Sequence, residues 1–200
     1  NIRLIIRSLT TQLEEARKEI ELLKNGEDIP VFIHVARYHP VKNQQMLFSV
    51  FNRLASENHK FLLLVLGDGF EKSGLIEEIR TEKIKLLGLK QNVGDYLACA
   101  DYFVLSSTWE GLPLSLLEAM SMGSIPISTP AGGVLDVIKD GENGLLSKSF
   151  TEDDFYDTVL KVFKKELTID KEEIIADYRN NYTMEVCVSK YYNVYKELLK

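Results

Sequence analysis

The sequence contains only two cysteines in 200 residues, Cys99 and Cys187, with no Cys-x-x-Cys pair and no Cys/His cluster at zinc-ligand spacing. That excludes a disulfide scaffold and a structural zinc site, and it fits reduced thiols in a cytosolic compartment. Long hydrophobic runs are missing too. The longest, Phe61 to Leu66, has the length of a strand, far below the roughly 20 residues a membrane span needs. No secretory signal segment is visible, so a cytoplasmic location is expected; peripheral membrane association of a longer protein stays compatible with this. Positive charge is in deficit, with 24 Lys and Arg against 30 Asp and Glu, a net charge of −6. A nucleic-acid partner is therefore not expected, because phosphate contacts supply most of that affinity. A small cationic pocket for one nucleotide remains compatible with the balance. No Gly-x-Gly-x-x-Gly follows the first strand-like run, which argues against a nicotinamide dehydrogenase. A phosphate loop of the Gly-x4-Gly-Lys-Ser/Thr type and a nucleophile elbow are absent as well. The chain opens on Asn1 rather than Met, so a piece of a longer protein is expected.

What is present is an ordinary globular composition, 45% apolar and 27% charged, with 12 Gly and 5 Pro. A chain of this length buries roughly 70% of its unfolded surface without metal or disulfides. Residues 1–28 read as a lead-in helix, with Leu13, Ala16, Ile20 and Leu23 at helical spacing. Residues 29–166 alternate short apolar runs with helical stretches. Val31–Ala36, Phe61–Leu66, Ile84–Leu87, Tyr102–Leu105 and Ile125–Ser128 are expected strands. Helices are expected around Leu47–Leu54, around Leu75, Ile76 and Ile79, over Val93–Ala100, and from Pro113 to Met122. Thr151 with Asp154 can cap a helix carrying Phe155 and Val159, and residues 167–200 complete a single domain with C-terminal helices. Strands apolar on both faces and separated by helices imply an α/β fold: a doubly wound, Rossmann-like parallel sheet. Such a sheet binds its ligand beyond the carboxyl ends of its strands, so the loops there are the candidate site.

The first loop, Ala36-Arg37-Tyr38-His39-Pro40-Val41-Lys42-Asn43, sets two cations before a helix start. Arg37 and Lys42 can clamp a diphosphate there, or can be two solvated loop cations. Gly67-Asp68-Gly69 is a ligand contact or a plain turn. In Ser106-Ser107-Thr108-Trp109-Glu110-Gly111-Leu112-Pro113, Gly111 allows close backbone approach to a ligand. Glu118 follows on a helix between Leu117 and Ala119, where a carboxylate is costly unless paired and suits a ribose diol, or else a surface salt bridge. Gly132 and Gly133 leave amides open to an anion or a sugar hydroxyl, or form a flexible turn. His34, inside a strand, reads as a core histidine, and His39 as a further phosphate contact or a loop residue.

Together these residues resemble the donor-binding half of the retaining glycosyltransferase family 4, which has the GT-B fold. The stretch Glu110-Gly111-Leu112-Pro113-Leu114-Ser115-Leu116-Leu117-Glu118 resembles that family's pair of glutamates with seven residues between. Ala36-Arg37 with Lys42 is similar to its Gly-Arg…Lys loop. Leu66-Gly67-Asp68-Gly69, Ala100-Asp101 before Tyr102-Phe103-Val104-Leu105-Ser106, and Asn143-Gly144-Leu145-Leu146 match in order and spacing.

The resemblance implies roles. Arg37 and Lys42 would bind the donor diphosphate and stabilise the leaving nucleotide, and Glu110 would lie against the donor sugar, so these three carry the catalytic assignment. Glu118 would hold the ribose hydroxyls, Gly111 and Leu112 would offer amides, and Gly67, Gly69 and Leu89 would line the donor site, the loop Gly88-Leu89-Lys90 lying near the base. The implied enzyme transfers a sugar from a nucleotide-diphosphate donor with retention, as in surface polysaccharide or glycan assembly, with no metal and no other cofactor. It would need an N-terminal acceptor domain that this chain lacks, toward which the last helix would pack, so the fragment alone is expected to be inactive. A nucleotide-sugar binding module without catalysis and a GT-B epimerase are the alternatives. Ala36, Asn43 and Asp136 depart from the family pattern, and these departures bear on loop geometry rather than on the class.

Overall fold

Six strands, β1 (Val31–Val35), β2 (Leu62–Leu66), β3 (Ile84–Gly88), β4 (Tyr102–Leu105), β5 (Ile125–Ser128) and β6 (Leu145–Leu146), form one parallel sheet in the order β3-β2-β1-β4-β5-β6. They belong to a computed structural model that describes residues 2–166 and 168–199, leaving aside the side chains of 2–9 and 72. Residues 1, 167 and 200, which the expected segment limits include, lie outside the described residues. Seven helices accompany the strands among the described residues: α1 (Ile2–Leu23), α2 (Gln44–Ser56), α3 (Val93–Cys99), α4 (Leu114–Ser121), α5 (Glu152–Phe163), α6 (Lys171–Asn181) and α7 (Met184–Leu198).

Alternation along the strands builds two core layers. Val31, Ile33, Leu62, Leu64, Phe103 and Leu105 face Ile20 of α1, Leu97 of α3, Leu116 and Met120 of α4, and Ile174 of α6. Phe32, Leu63, Val65, Val104 and Ile127 face Leu47, Phe51 and Leu54 of α2 and Phe155 and Val159 of α5. On that second side Phe32 meets Phe51 edge to face, ring centroids 5.1 Å apart. The lead-in helix is part of this packing: Ala16 and Ile20 are buried, and Glu19 accepts hydrogen bonds from the Tyr96 hydroxyl and the Lys90 ammonium. Helix α5 starts as its sequence requires, with the Thr151 hydroxyl accepting from the Asp154 amide and three acidic residues in its first turn. Helix α7 buries none of its described residues, and Met184, Val188, Tyr191, Tyr195 and Leu198 stand exposed along it.

The expected helix around Leu75, Ile76 and Ile79 is not formed. Two 3₁₀ turns, Phe70–Lys72 and Leu75–Glu78, occupy that connection. Gly69 and Gly74 take φ of 84° and 72°, which stops right-handed helix before each turn. Gly132–Asp136, after β5, is also a 3₁₀ turn. β6 was not among the expected strands, its two apolar residues being too short a run to read as one.

His34 is fully buried, as expected, and points to the α2 side in step with Phe32. Its Nδ1 donates to the Val104 carbonyl at 2.8 Å, and burial, with a smaller contribution from the nearby Lys42 charge, lowers its pKa to about 4. Because the folded value lies below that of the unfolded chain, the unfolded state takes up the proton first as pH falls. His34 should therefore withdraw about 2 kcal/mol of stability between pH 7 and pH 5. Urea denaturation at those two pH values should show a smaller loss in His34→Asn than in the parent, and equal losses would show that this imidazole does not titrate between the two states.

Candidate functional site

The strand order reverses between β1 and β4, and sheets of this kind take their ligands beyond the carboxyl ends of the strands at such a point. The β1–β4 ladder pairs Phe32 with Tyr102 and Ile33 with Phe103, and the loops that follow are 36–43 and 106–113. The first is held to its neighbours by backbone. The Ala36 amide donates to Leu66 and the Tyr38 amide to Asp68. At Gly67, φ +145°, an added Cβ would lie 2.0 Å from the Ala36 carbonyl oxygen, so only glycine lets the two loops approach this closely. His39 accepts from the Val41 amide and so caps the short turn Pro40–Lys42. Its role is local, whereas the Arg37 guanidinium is exposed with no partner among the described residues.

The two loops meet through side chains that the sequence holds far apart. Lys42 Nζ donates to Glu110 Oε1 at 2.7 Å, and Ser107 Oγ donates to the same oxygen at 2.5 Å. Glu110 is 8% exposed and Lys42 half-buried, so water screens the pair less than at an open surface. Ser106 Oγ donates to the carbonyls of Lys42 and Asn43, and the Thr108 amide to that of Val41, bolting the second loop onto the first.

Gly132 and Gly133 do something other than expected. The Gly133 amide donates to the Glu110 carbonyl at 3.2 Å and so is not open to an anion. A Cβ at Gly132 would lie 2.0 Å from the Glu110 carbonyl oxygen, and one at Gly133 1.6 Å from that of Gly111. The pair is a backbone seat beneath Glu110 and Gly111.

The remaining predicted residues divide into two places. Arg37, Gly67 and Leu89 line a cavity of about 180 Å³ at the ends of β1, β2 and β3, and Gly69 lies against Tyr38 beside it. Lys90 also borders this cavity, but its ammonium is committed to Glu19 at 3.2 Å. Leu112 and Glu118 line a separate, largely apolar groove of about 500 Å³ with Tyr178, Tyr182 and Tyr191. The argument that Glu118 is a costly carboxylate among apolar neighbours does not hold. Leu116, Ala119 and Met120 turn into the core while Glu118 faces outward, exposed and without a side-chain partner among the described residues, because adjacent positions on a helix point different ways. Sequence reasoning missed Ser107 and Gln44. The Ser107-x-x-Glu110 spacing was a signal for the first, whereas Gln44 carried none, since its partners come from other elements.

The chain is similar to known proteins in sequence and in fold. The profile of the family described as glycosyl transferases group 1 matches residues 15–181. An N-acetyl-alpha-D-glucosaminyl L-malate synthase from Bacillus anthracis is 29% identical over 185 residues, covering 88% of this chain and 47% of the relative. An uncharacterized glycosyltransferase from Methanocaldococcus jannaschii is 30% identical over 169 residues, 76% of this chain and 41% of the relative. The lipopolysaccharide outer core galactosyltransferase WaaB in its apo form superimposes with a TM-score of 0.75 at 26% identity, over 86% of this chain and 50% of that one. Such neighbours have the GT-B fold. The chain spans less than half the length of the curated relatives named here.

The glycine seat gives a sharp contrast. Gly133→Ala should cost about 1–3 kcal/mol, because the loop must move to admit the methyl group. Gly111→Ala should change stability by less than about 0.5 kcal/mol, since nothing lies within 4 Å of its added Cβ and its φ is not positive. Chemical denaturation of both variants checks this, and equal losses would remove the seat as the explanation.

Proposed function

This chain belongs to the group 1 glycosyl transferases, and we propose that it is the donor-binding portion of a retaining family 4 enzyme that takes its sugar from a nucleoside diphosphate. The observation that carries the reading is the convergence of Lys42 and Ser107 on one oxygen of Glu110, with Arg37 on the same loop as Lys42 and without a partner among the described residues. Two cations on one strand-end loop suit a diphosphate, the arginine as a fork and the lysine as a point charge. The Anabaena protein HepE has been seen in complex with UDP and glucose, and an Escherichia coli relative is a UDP-Gal-dependent galactosyltransferase, which supports a nucleotide-sugar donor here.

In this reading the leaving diphosphate develops negative charge that Arg37 and Lys42 meet, doing without metal what Mg²⁺ does elsewhere. Glu110 lies beside the transferred sugar. Glu118, with its carboxylate free, holds the ribose diol, and the small cavity bordered by Leu89 takes the base. The acceptor belongs to the part of the longer protein beyond this chain, and the exposed apolar side of α7 is where that part packs. Surface polysaccharide or glycan assembly in the cytoplasm is the setting that fits relatives with such names.

Lys42 is paired with Glu110, so a diphosphate has to compete for the ammonium. Lys42→Ala should weaken UDP, GDP or ADP binding about tenfold to a hundredfold, the worth of one charged hydrogen bond. Glu110→Gln should tighten the free nucleoside diphosphate about threefold to tenfold while abolishing sugar transfer by the full-length protein. Calorimetry, run with EDTA and again with Mg²⁺, measures both; unchanged affinity in Lys42→Ala, or a tenfold gain with metal, would overturn the reading.

A further inference from the structure

Beneath the first loop lies a chain of buried polar groups that no contact to Lys42 or Glu110 requires. The Val104 carbonyl accepts from His34 Nδ1 at 2.8 Å, which leaves Nε2 of the neutral ring as an acceptor. Gln44 Nε2 faces it at 3.4 Å and also donates to the Arg37 carbonyl at 3.1 Å. Both amide hydrogens of Gln44 are thereby used. Its Oε1 is buried with no partner among the described residues, and Gln44 as a whole is 1% exposed. A buried amide oxygen without a donor costs about 1–3 kcal/mol, so this orientation is held against a penalty. Turning the amide over would set Oε1 against two acceptors. The neutral His34 and the Arg37 carbonyl together fix which way Gln44 faces.

The same peptide unit is gripped at its other end. The Tyr38 amide donates to the Asp68 carbonyl at 2.7 Å, and the Ala36 carbonyl one step earlier lies against Gly67. The Arg37–Tyr38 peptide plane is thus clamped by its oxygen and by its nitrogen. The direction in which the Arg37 side chain leaves the backbone follows from that clamp.

We propose that Gln44 is a positioning residue for donor binding, oriented by His34, which aims the Arg37 guanidinium at the diphosphate by gripping the Arg37 carbonyl. The proposal rests on the reading of Arg37 as a diphosphate ligand, and it adds two residues that touch no substrate.

A double-mutant cycle in the full-length protein, read as UDP affinity, tests it. Gln44→Met keeps the size of the side chain and removes the amide. With Arg37 present it should weaken UDP about tenfold; in an Arg37→Ala background it should weaken UDP less than twofold, because there is no guanidinium left to aim. His34→Asn, which leaves Gln44 and Arg37 in place, should show the same dependence on Arg37 with a smaller first effect, and it serves if Gln44→Met folds poorly. A merely structural role would lower affinity by the same factor in both backgrounds. Equal factors, or no effect of Gln44→Met with Arg37 present, overturn the positioning role. If Arg37→Ala alone leaves UDP binding unchanged, the diphosphate reading of the loop fails and this proposal falls with it.

Discussion

Backbone rests on backbone at the carboxyl end of the sheet, and the arrangement of every charged group above depends on that contact. Gly67 lets the loop after β2 approach the carbonyl of Ala36, and Gly132 with Gly133 lets the turn after β5 approach the carbonyls of Glu110 and Gly111. Side chains at these points would hold the strand-end loops apart by the width of a methyl group or more. The loops that carry Lys42 and Glu110 are thus each seated on a neighbour, while Ser106 and Thr108 tie them to one another, and the 2.7 Å contact of Lys42 with Glu110 joins residues 68 positions apart. The glycines act as spacers of zero thickness on either side of the charge pair.

Layers of different polarity follow upward from there. Lowest is the apolar sheet, with helices on both faces. Above it sits a neutral polar course, His34 and Gln44, kept uncharged because burial penalises the imidazolium and the Lys42 ammonium adds to that penalty. Above that lies the half-buried pair, with the Ser107 hydroxyl on the carboxylate, and at the rim is the solvated Arg37. Charge thus increases toward solvent, from the neutral His34 to the half-buried Lys42 to the exposed Arg37.

Much of this was legible in the sequence, and the failures have physical causes. Five strands were visible because a doubly covered parallel sheet demands uninterrupted apolar runs. The two-residue β6 offered no such run, and the helix expected after β2 was cancelled by Gly69 and Gly74 at positive φ. Arg37 and Lys42 could be named because the fold class sends chemistry to the loops after strands, and Glu110 because of the resemblance to a family with paired glutamates. That Lys42 pairs with Glu110 could not be, because spacing along the chain carries no information about contacts between loops. Glu118 was misjudged for the opposite reason: its sequence neighbours are apolar, but a helix turns them about 100° away at each step. The two glycines after β5 were read as open amides, and they are packed against carbonyls.

Several residues that make the sequence recognisable are held by structure alone. Asp101 accepts from the Val31 amide at the start of β1 and from Lys171 of α6. Asn143 ties the Lys139 amide and the Val137 carbonyl to Asp177 of α6, and a Cβ at Gly144 would collide with Pro126. Together with Gly67, Gly132 and Gly133 they form a set whose removal would unseat the loops whether or not any sugar is ever transferred. Under the proposed function, a descendant that gave up catalysis would be free to exchange Arg37 and Glu118, which have no side-chain partner among the described residues, yet would still be bound to keep that set. Silent copies of the fold would therefore wear the same recognisable sequence as working ones, and the difference between them would be written in the few side chains that do not hold anything up.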